Sequence, residues 1–212
     1  MENSLCHVIQ QGNRKQQVFF EDEDYQAYLE LLAQFCPEGD LQVWAYSLLP
    51  NHVHLVLAAA RRAELRKTIG KANRLYRRRI NFRTGSSGRL WQGQMSIFPL
   101  RNDHLAAVVR FIETEPVRIR LAATAATYPW SSARAHLAGK DDRVVVVEPL
   151  LKLAPDWGKF LAEGETCGLA KRFRSQERRA GMLQRFNLSG LMYKVSGRTP
   201  FFHPALKGKE RK

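Results

Sequence analysis

Two histidines, His52 and His54, are separated by one aliphatic residue within the apolar run WAYSLLPNHVHLVL, residues 44–57. In a β-strand, side chains two positions apart leave the same face, so both imidazoles are expected to project together. Val53 and Leu55 then project to the opposite face, into a core. Two neutral imidazoles on one face can hold a divalent cation if a third ligand comes from elsewhere. Two strand histidines hydrogen-bonded at a surface are the alternative interpretation of this short pattern.

Positive charge is concentrated in two blocks of a chain whose net charge is +14. Residues 61–89 carry eleven Lys or Arg against one acid, and residues 171–212 carry twelve against two. The remainder is therefore net negative. Two basic blocks on an acidic frame are typical of proteins that bind polyanions, most often nucleic acid. A solubilising surface and a patch for anionic membranes are the alternatives.

Length and composition favour a globular protein of the cytoplasm. With 212 residues and 44% hydrophobic residues, the chain suits one core domain with an appendage. We find no apolar run long enough to span a bilayer and no signal-peptide pattern at the N-terminus, so no membrane partner is expected. The three cysteines are far apart and predict neither a disulfide framework nor a zinc site. A reducing cytoplasm is the expected location.

Hydrophobic periodicity predicts the order strand, helix, strand, strand, helix, strand, followed by a further helix. The predicted strands are residues 7–10, 41–48, 53–58 and 91–100, and the predicted helices are residues 25–35, 63–81 and 103–115, with Pro116 ending the last. This order indicates the α+β class and a ferredoxin-like βαββαβ antiparallel sheet with helices packed on one face. The other face, or one edge, is then left open to a ligand.

Three regions follow from the same patterns. Residues 1–122 are predicted to form the core domain, and residues 123–162 a helical extension packed on it, with a helix over residues 149–160. From residue 163 to residue 212 the periodicity is poor and Lys and Arg are frequent, which predicts a basic, partly disordered tail.

Five segments together resemble the HUH-type single-tyrosine transposases, in the branch associated with repetitive extragenic palindromes (REP). They are VIQQGNRKQQVFF (8–20), WAYSLLPNHVHLVL (44–57), GRLWQGQMSIFPL (88–100), RFIETEPVRIRL (110–121) and YPWSSARAHLAG (128–139). The segments occur in the family's order and extend over about three quarters of the chain. The resemblance implies the HUH transposase fold, with residues 1–122 as its catalytic and DNA-binding core, and the breakage and rejoining of single-stranded DNA during transposition. It also implies a protein of the bacterial cytoplasm that associates with the nucleoid.

The resemblance also implies a metal site and a nucleophile. In that family, two strand histidines and a polar helix residue hold Mg²⁺ or Mn²⁺, and a tyrosine one helical turn earlier attacks the phosphate beside a DNA hairpin. The matching metal ligands here are His52, His54 and Glu115, the last at a position where this branch usually carries asparagine. A carboxylate is also a hard oxygen ligand for either ion. The matching nucleophile position is Phe111, whose ring has no hydroxyl.

Phe111 leaves several alternatives open. It is an engineered change, a product of natural decay, or a loss compensated by another nucleophile, for which Tyr76 and Tyr128 are the candidates. The chain is then either a transposase whose cleavage is impaired or a non-catalytic module that binds DNA hairpins. An unrelated metal phosphodiesterase would be expected to carry a second histidine motif, which the sequence lacks. The resemblance implies a monomer, with a homodimer as the alternative.

The predicted helix over residues 63–81 interleaves arginines with an aromatic residue. Guanidinium groups suit phosphate contacts, and an aromatic ring suits stacking on a base. A solvated helix face is the alternative, and the strand residue Trp91 is expected to be part of the core. The predicted DNA contacts are Arg74, Tyr76, Arg77, Arg78, Arg79 and Arg89, with Lys171, Arg172 and Arg174 in the tail.

Overall fold

The structure is a computed structural model that describes residues 4–163. Within this part of the chain, four strands form one sheet in the order β2-β3-β1-β4, and every paired strand is antiparallel. The strands are β1 (Ser4–Gln11), β2 (Leu41–Leu49), β3 (His52–Ala59) and β4 (Ser96–Pro99). The predicted α+β antiparallel sheet is confirmed. The predicted tail contacts Lys171, Arg172 and Arg174 lie outside the described residues.

Three long helices connect and cover the strands: α1 (Asp22–Glu38), α2 (Arg62–Thr84) and α3 (Asn102–Arg118). Three shorter helices follow: α4 (Ala133–Ala138), α5 (Glu148–Leu151) and α6 (Trp157–Ala162). A capping box between Glu21 and Asp24 begins α1, and Gly85, at φ 62°, ends α2 in the left-handed conformation that glycine tolerates best. Among residues 4–163, no helix is both long and apolar enough to cross a membrane.

Three predicted element boundaries were wrong. Pro116 does not end α3, which continues to Arg118, because a proline in the last turn removes only one N–H from the helix. The strand predicted over residues 91–100 is only four residues long, and Trp91 forms an isolated bridge to Gly12. The helix predicted over residues 149–160 is divided into α5 and α6.

The two faces of the sheet are covered by different helices. Helices α1 and α2 pack on the face that carries Val53, Leu55 and Leu57. Helix α3 packs on the opposite face, where Val56 and Ala58 contribute to a second apolar cluster together with α6. Of the two predicted alternatives, an open face or an open edge, the open face is therefore wrong. Every residue of β3 is buried, as expected for a strand that is covered on both faces.

Candidate metal centre

Strand β3 places His52 and His54 on the face of the sheet that α3 covers. The two rings lie 4.9 Å apart, centroid to centroid, and are nearly perpendicular. Both side chains are buried, while Val53 between them packs in the core on the other face. The pairing of the two imidazoles that the sequence predicts is thus present in the fold.

Helix α3 brings Glu115 against both imidazoles. Its carboxylate oxygens lie 3.4 Å from His52 Nε2 and 3.0 Å from His54 Nε2. Potential ligand atoms of the three residues all lie within 4.8 Å of one another, and all three side chains are buried. Packing of α3 on the sheet therefore assembles two nitrogen donors and one carboxylate in a single place.

Hydrogen bonds orient both imidazoles. Asn51 Oδ1 lies 2.7 Å from His52 Nδ1, so it accepts the Nδ1 proton and leaves Nε2 as a lone-pair donor facing Glu115. The ring of His7, on β1, stacks on His54, and its Nε2 lies 2.9 Å from His54 Nδ1. When His54 donates its Nδ1 proton to His7, it has the tautomer that a metal ligand requires. No role was predicted for His7, since a lone histidine on a predicted strand gives no reason to expect one.

The electrostatic environment favours neutral imidazoles beside an ionised carboxylate. Burial lowers the pKa of His54, and it lowers the pKa of His7 well below its usual value with a smaller contribution from His54. Burial acts to raise the pKa of Glu115, but the neighbouring His54 and His52 outweigh it and hold that pKa well below its usual range. Two neutral imidazoles and one carboxylate are the protonation states in which these groups bind a divalent cation.

Phe111 lies on α3 one helical turn before Glu115 and is fully buried. The guanidinium carbon of Arg118 lies 3.9 Å from its ring centroid, and Arg118 also donates to the backbone carbonyl of Phe111 at 2.7 Å. The same guanidinium lies 4.0 Å from the Glu115 carboxylate. Arg118 therefore connects the predicted nucleophile position with the metal-ligand cluster.

The two tyrosines considered as substitute nucleophiles do not fit that role. Tyr76 is fully buried, and its hydroxyl donates to the carbonyl oxygen of Val18 at 2.7 Å. Tyr128 is also buried, and its hydroxyl donates to the carbonyl oxygen of Leu48 at 2.6 Å. Both hydroxyls are used in packing the core, so that hypothesis is wrong for these residues.

Three of the predicted DNA contacts line one concave surface, which we call the basic groove. The cavity has a volume of about 410 Å³ and lies between α2 and the segment before β4. Its lining includes the arginines Arg66, Arg74, Arg77 and Arg89, above Leu90 and the buried Trp91. Arg78 and Arg79 are also exposed but lie outside this lining.

The predicted stacking role of Tyr76 is wrong, because the ring is inaccessible at 0% exposure. The helix carries another aromatic residue, Phe82, which is 93% exposed near its C-terminal end. The helical periodicity of Ile69, Tyr76 and Ile80 already placed position 76 on the apolar face and position 82 outside it. That periodicity was the signal by which Phe82 could have been found.

Comparison with known proteins identifies one family and similar solved structures. The family model "Transposase IS200 like" matches residues 1–115, more than half of the chain, and this segment includes all three residues of the cluster. A solved structure of the REP-associated tyrosine transposase bound to a REP hairpin has a TM-score of 0.53 at 16% identity, covering 69% of this chain and 87% of that chain. This likeness shows a shared fold.

A second solved structure, described as a candidate transposase from Deinococcus radiodurans R1, has a TM-score of 0.41 at 19% identity. The match covers 54% of this chain and 92% of that chain. No curated protein matches the sequence.

Proposed function

The chain belongs to the IS200-like transposase family, and on that premise we propose that it is a metal-dependent transposase of the REP-associated type with impaired cleavage. Its substrate would be single-stranded DNA that forms a hairpin. The observation that carries this proposal is the cluster of His52, His54 and Glu115, with Phe111 one helical turn away. A family assignment alone would not distinguish an active site from a degenerate one.

The donor set fits a divalent cation. His52, His54 and Glu115 would hold the metal, and Mn²⁺ suits two nitrogens and one carboxylate better than Mg²⁺ does. When bound, such an ion acts as a Lewis acid towards a phosphodiester. Asn51 and His7 would orient the two imidazoles, and burial lowers the pKa of His54.

Phe111 is the reason to expect impaired cleavage. Phenylalanine has no hydroxyl, so it cannot form a covalent bond to phosphorus. The ring nevertheless keeps its place beneath the Arg118 guanidinium. A tyrosine at this position would have a nearby cation, which favours the phenolate form of the hydroxyl. The surroundings of a nucleophile are thus retained while the nucleophile itself is missing.

The proposed DNA surface consists of the basic groove and the end of α2. Arg74, Arg77 and Arg89 would contact phosphates along the groove, and exposed Phe82 would stack on an unpaired base. The solved transposase of similar fold is bound to a REP hairpin, which supports a hairpin as the substrate class. Because phosphate contacts release counterions, the affinity for DNA should fall steeply as salt rises.

The decisive experiment compares the protein with its Phe111→Tyr variant on an end-labelled DNA hairpin that has a single-stranded 5′ flank. Both proteins are incubated with Mn²⁺, and the products are separated on a denaturing gel. We expect only the variant to cut the DNA and to form a protein-linked band. A matched Phe160→Tyr variant, which adds a hydroxyl elsewhere in the same apolar cluster, should not cut. Cutting by the unmodified protein would contradict the proposed impairment.

A non-catalytic hairpin-binding module is the second candidate function, favoured by Phe111 itself. It predicts that neither protein cuts although both retard the labelled hairpin in a native gel.

We further propose that the protein acts as a monomer in the bacterial cytoplasm. In this proposal residues 123–162 form an extension that supports α3, consistent with the contacts of α4 and α6 with α3 and with each other.

A further inference from the structure

Gln11, the last residue of β1, lies directly opposite His52 in the antiparallel pairing of β1 with β3. Directly opposed residues of an antiparallel pair project from the same face of the sheet, with their Cβ atoms about 5 Å apart. The Gln11 side chain therefore lies beside the His52 imidazole, on the face that carries the metal-ligand cluster. It is buried, with only 4% of its surface exposed.

The Gln11 carboxamide has no hydrogen-bond partner among residues 4–163, neither at Nε2 nor at Oε1. Its neighbour Gln10, on the other face of the strand, is fully engaged. Gln10 Oε1 accepts from Asn73 at 3.2 Å, and Gln10 Nε2 lies 3.4 Å from the carbonyl oxygen of Gln92. Burying an unpaired amide is unfavourable, so a buried amide without a partner in the protein requires an explanation such as a ligand that supplies one.

The chemistry of the cluster indicates what that ligand is. Once His52, His54 and Glu115 use their lone pairs on a metal, and the remaining imidazole protons go to Asn51 and His7, the three ligands themselves offer no donor to an incoming anion. Gln11 brings two N–H groups to the same face. A phosphodiester has oxygens that only accept, and an amide donor is their natural complement.

We propose that Gln11 is a substrate-binding residue. Its Nε2 donates a hydrogen bond to a phosphodiester oxygen of the DNA strand that is held at the His52–His54–Glu115 cluster. This inference rests on the proposed function. A carboxamide used this way positions the phosphate without adding charge to the metal site. Gln11 is retained despite its unpaired amide because the bound strand supplies the missing acceptor.

The test uses the full-length protein, Mn²⁺ and the dinucleotide TpT as a minimal phosphodiester. Binding of Mn²⁺ is measured by electron paramagnetic resonance, and binding of TpT by the broadening of its ³¹P signal by protein-bound Mn²⁺. We expect Gln11→Leu to bind Mn²⁺ as the unmodified protein does, while its affinity for TpT falls roughly tenfold or more. Exposed Gln42→Leu is the matched binding control and should change neither value.

Thermal unfolding provides an independent readout. Leucine is comparable to glutamine in size and has no polar group that needs a partner, so Gln11→Leu should leave Tm unchanged or raise it by a few degrees. Gln10→Leu removes a side chain whose bonds are satisfied and should lower Tm. A fall in Tm for Gln11→Leu as large as that for Gln10→Leu would show a packing role and overturn the proposal.

Other results overturn the inference in distinguishable ways. Loss of Mn²⁺ affinity in Gln11→Leu would make the carboxamide a metal ligand rather than a phosphate donor. Unchanged TpT binding in that variant would remove Gln11 from the site while leaving the proposed function intact. If the unmodified protein binds no Mn²⁺, the metal site of the proposed function fails, and this inference fails with it.

Discussion

Two buried carboxylates on α3, two residues apart, have opposite surroundings. Glu113 is fully buried, and three fixed donors surround it: Ser132 Oγ at 2.5 Å, His136 Nδ1 at 2.7 Å and Trp157 Nε1 at 2.8 Å. These donors belong to α4, to α6 and to the residue before α4. Glu113 therefore connects α3 to the segments that follow it.

Glu115 instead faces His52 and His54, two groups that can exchange a proton for a metal ion. The two histidines come from the central sheet, and none of the fixed donors around Glu113 reaches Glu115. A buried carboxylate saturated by fixed donors stabilises the fold, whereas one that faces imidazole nitrogens provides a ligand site. Burial alone does not distinguish the two roles, whereas the identity of the hydrogen-bonding partners does.

The largest expected effect is on stability at Glu113. Glu113→Ala leaves three buried donors unpaired and should lower the free energy of unfolding by about 3–5 kcal/mol. Urea unfolding followed by circular dichroism measures this loss. The metal-free Glu115→Ala variant is the control and should lose only about 1–2 kcal/mol. Equal losses would mean that the two carboxylates have the same role.

For metal binding, the loss of Glu115 is expected to have a larger effect than the loss of Glu113. Glu115→Gln keeps the size of the side chain but removes the anionic ligand, so the affinity for Mn²⁺ should fall by about a hundredfold, equivalent to roughly 2.7 kcal/mol. Isothermal titration calorimetry measures the affinity. Chelation by EDTA should lower the Tm of the Mn²⁺-loaded protein but not that of Glu115→Gln. A folded Glu113→Gln protein should bind Mn²⁺ normally, and weakened binding there would contradict the distinction.

Low pH should lower the stability of the metal-free protein, because histidines near Glu115 then bind protons. Burial lowers the pKa of His7 and of His54, so both bind protons more readily in the unfolded chain than in the fold. Their contribution to stability is complete above about pH 6.5 and is lost as the pH falls below it, by roughly 1–2 kcal/mol per pH unit. Urea unfolding in EDTA at pH 7.5, 6.5 and 5.5 measures this. The His7→Gln variant should show a shallower dependence, and an unchanged slope would exclude His7 as a contributor.

The smallest expected effect concerns the orientation of His54. His7→Gln keeps a polar side chain but loses the stacked imidazole, so the affinity for Mn²⁺ should fall about tenfold while the three ligands remain. Titration of Mn²⁺ by electron paramagnetic resonance measures the change. His104→Gln, near the start of α3, is the matched control and should bind Mn²⁺ as before. A loss as large as that of Glu115→Gln would indicate that His7 itself is a ligand.

Local sequence patterns anticipated part of the fold and part of the site. The period of two in a strand placed His52 and His54 together and Val53 on the other side, and the order of elements indicated the βαββαβ sheet. Glu115 and Phe111 were identified only through the resemblance to a family. Neither periodicity nor spacing relates a helix residue to a strand about 60 positions earlier in the chain.

The sequence by itself determined which residues share a face, because that property depends only on the repeat of a strand or a helix. The tertiary structure alone decided which faces are covered and which polar groups meet there. It covered the face expected to be open with α3 and placed Gln11 and His7 beside the histidine pair. The physical reason is that these outcomes arise from contacts between elements far apart in the chain, where the burial of apolar surface is balanced against the pairing of polar atoms.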